Sequence, residues 1–135
     1  MKRVALIRGK DRYENIKKAL EHIEEDIHLP PDGVLIKPNF VSTRSQLAAT
    51  HLEAVRALLD FLRPRYNGSI VIGEGAPSPR DTFEGYHNFG YKPLAEEYGA
   101  RLIDFNRDEG VKVRAYDRKL APLELWVAKT AWESP

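Results

Sequence analysis

Two short stretches of this chain carry residue types that could do chemistry. The first is Lys37-Pro38-Asn39, followed by Ser42, Thr43 and Arg44, with Thr50 and His51 a little further on. A lysine fixed at the end of an apolar run, close to a helix N-terminus, suits an anion such as a phosphate or carboxylate. The second is Gly73-Glu74-Gly75, which runs on through Ser78 and Arg80 to Thr82. Its glycines let backbone N–H groups come close to a ligand. Glu74 is the best-placed general base or metal ligand. Lys37 and Glu74 are thus the candidate catalytic residues. Asn39, Ser42, Thr50, His51, Gly73, Gly75, Ser78, Arg80 and Thr82 are the candidate ligand-binding residues.

Each feature also has a plainer role. Lys37 can simply pair with an acid such as Glu74, and Asn39 can satisfy loop backbone. Gly73-Glu74-Gly75 is half of a dinucleotide fingerprint. Its third glycine would fall at Ser78, and the loop follows the third apolar run instead of the first, so a nicotinamide site is rejected. There is no Gly-Lys-Ser/Thr phosphate loop. His51 and His87 could join Glu74 around a divalent ion, but no His-x-x-x-His spacing exists, and no metal is assigned. The cofactor stays unknown.

The elements that position these loops follow from hydrophobic patterning. Val4–Ile7, Val34–Ile36 and Ser69–Ile72 are short apolar runs of the kind buried on both faces of a parallel sheet. Asp11 starts a helix expected over 12–27, with Ile16, Ala19, Leu20, Ile23 and Ile27 on one face. Thr50 and Glu53 form a capping-box pair ahead of a helix over 51–62. Asp81 or Thr82 caps a further short helix, and Pro93 starts another that Gly99 closes. Arg101–Phe105 is a fourth strand. Val111–Ala115 and Leu123–Val127 alternate as half-exposed strands do. Strands alternating with helices predict an α/β fold: three layers, a mostly parallel central sheet, and room for an antiparallel edge. Ligands of such sheets bind beyond the strand carboxyl ends, where both chemical loops fall.

With 135 residues, the chain fits one domain. Its 21 Lys+Arg against 20 Asp+Glu leave no basic excess of the kind that marks a nucleic-acid binder. Cysteine is absent, which excludes disulfides, Cys-held metals and a Cys nucleophile within this segment. No apolar run approaches the ~20 residues that span a bilayer. Met1–Arg8 is too short in apolar residues for a secretory leader. A cytoplasmic protein with no nucleic-acid or membrane partner is expected.

Three stretches taken together resemble the DUF362 family: Val34-Leu35-Ile36-Lys37-Pro38-Asn39-Phe40-Val41, Thr50-His51-Leu52-Glu53-Ala54-Val55-Arg56 and Ile70-Val71-Ile72-Gly73-Glu74-Gly75. Gly90-Tyr91 and Ala95-Glu96-Glu97-Tyr98-Gly99-Ala100 resemble that family's next helix and strand entry. The resemblance implies that the chain is the N-terminal part of a larger unit, because relatives continue past a point like Ala128-Lys129-Thr130. It supports the fold and the loop positions, and it brings no established reaction. Some relatives carry a ferredoxin-type cysteine module; a redox accessory role implied by them does not transfer to a cysteine-free segment. On this reading Trp126 and Trp132 touch a second domain or a dimer partner covering the C-terminal strands, and do not form a ligand-stacking platform. The functional expectation is a small anionic ligand held at the strand ends, with a non-catalytic interaction module as the alternative.

Overall fold

The computed structural model describes residues 3–77 and 81–134. Helix α1 (Arg12–His22) opens where the Asp11 carboxylate accepts the Glu14 N–H at 2.8 Å. It stops earlier than the apolar spacing predicts. A 3-10 turn, Glu24–Asp26, takes over. Three consecutive acids at a helix carboxyl end oppose the helix dipole, which accounts for the early stop.

The expected strand over Val4–Ile7 does not form. Val4 and Leu6 are each 92% exposed and lie outside any strand. An apolar run becomes a strand only where a neighbour completes its hydrogen bonds. Here the adjoining Arg3 pairs instead with Asp26 and Glu25, at 2.7 and 3.1 Å.

The remaining runs behave as read. β1 (Val34–Ile36), β2 (Ile70–Glu74) and β3 (Arg101–Asp104) form a parallel sheet in the order β1-β2-β3. Helix α2 (Leu52–Leu62) links β1 to β2. Helices α3 (Thr82–Asn88) and α4 (Tyr91–Glu97) link β2 to β3. Ile70 and Ile72 of β2 join Val55, Leu59 and Leu62 of α2, Tyr86 of α3 and Leu94 of α4 in one buried cluster. α1 lies outside α2, where Tyr13 donates to Asp60 at 2.7 Å.

Two further details differ from expectation. The cap of α2 is His51, whose Nδ1 accepts the Glu53 N–H at 3.2 Å; Thr50 is employed elsewhere. And β4 (Gly110–Tyr116) with β5 (Pro122–Ala128) forms its own antiparallel two-stranded sheet, so the antiparallel pair does not extend the parallel sheet's edge. A short helix, α5 (Lys129–Glu133), follows β5. Its Thr130 and Glu133 line a shallow cleft of about 280 Å³ together with Leu35 and Val71. Among the described residues, no helix is long and apolar enough to cross a membrane.

Candidate functional site

Because the three strands run parallel and in register, their carboxyl ends share one rim. Ile36 stands opposite Ile72, and Glu74 opposite Asp104. The Lys-Pro-Asn turn and the glycine turn therefore open side by side. Beside them lies a cleft of about 520 Å³, within the usual range of small-molecule pockets. Lys37, Asn39, Glu74 and Gly75 line it, together with Phe105 and Asn106 after β3 and Trp126 of β5.

Lys37 and Glu74 are directly paired. Lys37 Nζ donates to Glu74 Oε2 at 2.6 Å and to the Pro38 carbonyl at 2.9 Å. Their exposures differ sharply: the lysine side chain is 55% exposed, the glutamate 4%. Glu74 is a buried anchor, and Lys37 is its solvent-facing partner. Glu74 Oε1 also accepts the Phe40 N–H at 3.2 Å, so one carboxylate ties the exit of β1 to the exit of β2. A buried carboxylate needs such partners, since removing one leaves an uncompensated charge.

Phe40 holds the same turn from below. Its ring meets Tyr86, Phe89 and Tyr91 edge-on, with centroids 5.4, 5.3 and 5.2 Å away. Burial, with the Glu74 and Asp104 charges adding, pushes the Tyr86 phenol far above its ordinary value. It remains a neutral donor to the carbonyls of Ile72 and Ile103, at 3.2 and 2.9 Å.

The glycines serve space more than backbone freedom. A Cβ on Gly73 would stand 2.5 Å from the Phe105 ring, so glycine is what lets that ring come so close to the strand. Gly75 faces Asn106 in the same way, with a Cβ 3.1 Å from Oδ1.

Several of the predicted residues support the rim instead of lining it. Ser42 Oγ accepts the Arg44 and Ser45 N–H groups at 3.2 and 3.0 Å. Thr50 Oγ1 accepts the Asn39 N–H at 2.8 Å, and the Thr50 N–H donates to the Asn39 carbonyl at 2.8 Å. With a bridge between Phe40 and Ala49, this pins the loop between them at its base, leaving Leu47 fully exposed on its returning side. His51 is occupied as a helix cap. Thr43, buried, donates to Glu84 at 2.9 Å; Arg44 and Thr43 together hold the Glu84 carboxyl below its ordinary value. Thr82 is fully buried: Oγ1 accepts the Ala76 N–H at 3.0 Å and donates to Asp104 Oδ1 at 2.7 Å. His87 is exposed on α3. Ser78 and Arg80 lie outside the described residues. Among those described, no group of three His, Asp or Glu side chains is placed to hold a metal ion.

Sequence reasoning missed Asp104, Phe105 and Asn106, and it assigned Trp126 to a partner surface, whereas Trp126 is among the residues lining the rim cleft. Asp104 was findable: it ends β3 as Glu74 ends β2, so the strand-exit rule applies to both. Its carboxylate accepts the Asn106 N–H at 2.9 Å, and Asn106 donates to the Ala76 carbonyl at 2.8 Å, fixing the third turn to the second. Trp126 reaches the rim only through the placement of the hairpin, which no local pattern reports. A second cleft, about 420 Å³, lies at the other end of the strands between Ile27, Leu29 and Phe61. Its charges Glu24 and Arg65 close on each other at 2.6 Å, and it lacks the converging polar groups of the rim.

No curated protein and no solved structure matches this chain. A family model does match, over residues 34–134, well over half the chain, and its span holds all three strand exits together with the hairpin. The protein belongs to the family described as Domain of unknown function (DUF362).

Proposed function

We propose that this chain binds a small anionic molecule in the rim cleft, with Lys37 as its charge partner. The carrying observation is the asymmetry of the Lys37–Glu74 pair. An ammonium has three N–H donors, and among the described residues two of them are engaged, by Glu74 and Pro38. A half-exposed lysine anchored in this way is oriented before a ligand arrives, which lowers the entropic cost of binding. Asn39 and Asn106 add neutral polar groups at the same wall. If the site is catalytic, Lys37 supplies electrostatic stabilisation of a developing anion, and Glu74 keeps the lysine placed. The setting is cytoplasmic, where phosphorylated and carboxylated metabolites are the natural candidates.

The test is thermal stabilisation of wild type and Lys37→Ala by a panel of phosphorylated and carboxylated metabolites. The expected result is a ligand-induced rise in Tm for wild type that the variant, folded but with a lower starting Tm for want of Glu74's ion-pair partner, does not show. Equal stabilisation of both proteins would overturn the reading.

A second reading rests on the hairpin, where Trp126 is 69% and Trp132 of α5 57% exposed. Exposed tryptophans on a thin sheet suit docking on another protein surface. A dimer by light scattering that dissociates on Trp126→Ala supports this reading, and a strict monomer counts against it.

A further inference from the structure

The walls of the rim cleft differ in chemistry. Its polar lining is the Lys37–Glu74 pair, Asn39 and Asn106; its apolar lining is Phe105 and Trp126, with Ala128 and Ala131. Trp126 is held without being buried. A Cβ on Gly110 would stand 2.6 Å from its six-membered ring, so the indole rests against that glycine across the hairpin. The Lys112 ammonium sits 5.4 Å from its centroid, and Lys112 is itself fixed by Glu124 at 3.0 Å. The indole is thus positioned by a glycine and a cation, yet the residue stays 69% exposed, and it is one of those that line the cleft. An aromatic ring held in place with a free surface, next to an anchored cation, has the form of a stacking platform.

Building on the anion reading, we infer that the ligand carries a planar ring as well as its negative charge. Lys37 takes the phosphate or carboxylate, Trp126 takes the ring, and the two asparagine amides face the ring's polar edge. The stacked ring raises affinity by roughly tenfold over a ring-free anion, the reach of one good aromatic pair.

Trp→Phe exchange at Trp132 leaves Trp126 as the sole indole, so its fluorescence reports the cleft. The probes are adenosine 5′-monophosphate, ribose 5-phosphate and inorganic phosphate for one anion, and benzoate and acetate for the other. The expected result is quenching by the ring-bearing probes at concentrations roughly tenfold below those at which their ring-free counterparts bind. The better of the two ring-bearing probes tells phosphate from carboxylate. Calorimetry with Trp126→Ala should show the ring-bearing probes falling to the level of their ring-free counterparts. Trp126→Phe should keep the preference, and circular dichroism confirms that both variants fold. Equal affinity for ring-bearing and ring-free probes in wild type overturns this inference and leaves the anion site standing. Full affinity for all probes in Lys37→Ala overturns the anion reading as well. Failure of every probe to bind wild type at millimolar concentration overturns both.

Discussion

In the parallel sheet, Ile70 and Ile72 are closed off from solvent by side chains of α2, α3 and α4. In the β4–β5 hairpin no residue is buried, although Val111, Val113, Leu123 and Val127 alternate as regularly as any strand core. Both regions satisfy their backbone hydrogen bonds. Only the first removes much apolar surface from water, and burial, not pairing, supplies most of the stabilisation. A few polar contacts close the base of the hairpin, joining the residues before β4 to those after β5. Asp108 accepts the Thr130 N–H at 2.7 Å, the Lys129 N–H meets the Glu109 carbonyl at 2.8 Å, and Lys129 Nζ reaches Glu109 at 2.8 Å. The cleft lies between a rigid wall and a lightly held one.

The sharpest way to break this contrast is Phe40→Ala, in the middle of four packed aromatic rings. It should cost about 3–5 kcal/mol by urea unfolding, and it should loosen the Lys37 turn with it. Thr82→Val comes next. It leaves the buried Ala76 N–H and Asp104 carboxylate short of a partner, for a loss of about 1–3 kcal/mol in the same assay. Acid should act on the hairpin before the sheet. The Thr130 backbone N–H, the largest cause, holds the Asp108 carboxyl below its ordinary value. Its stabilisation is thus fully present above the ordinary aspartate range and fades as pH falls through the depressed value. Hydrogen exchange followed from neutral pH downward should show β4 and β5 amides losing protection while β2 keeps its own. Trp126→Ala should be the mildest, within about 0.5 kcal/mol in global stability, because so little of the indole is buried. A loss as large as that of Phe40→Ala would mean that the hairpin is as integral as the sheet.

The same contrast explains what the sequence made legible. Val34–Ile36 and Ile70–Ile72 could be read as neighbouring strands because runs buried on both faces have few other solutions in an α/β chain. Once they were neighbours, the adjacency of Lys37 and Glu74 followed from parallel direction alone. Val4–Ile7 has the same composition and forms no strand, because composition does not say whether a partner edge is there. Thr50 carried a correct local signal, an oxygen near a helix start. The Asn39 N–H, eleven residues back in the chain, claimed that oxygen instead. Trp126 at the rim was out of reach because the hairpin pairs only with itself, and no local pattern says where such a sheet will lie.

The double clasp between Asn39 and Thr50 has a practical use. A loop bolted at its base passes little strain to its foundation, and lengthening it adds only about 0.6 kcal/mol of closure entropy per doubling. The exposed turn at Leu47 is therefore the place to graft a reporter, a tether or a few extra residues, with the chemistry beneath left undisturbed.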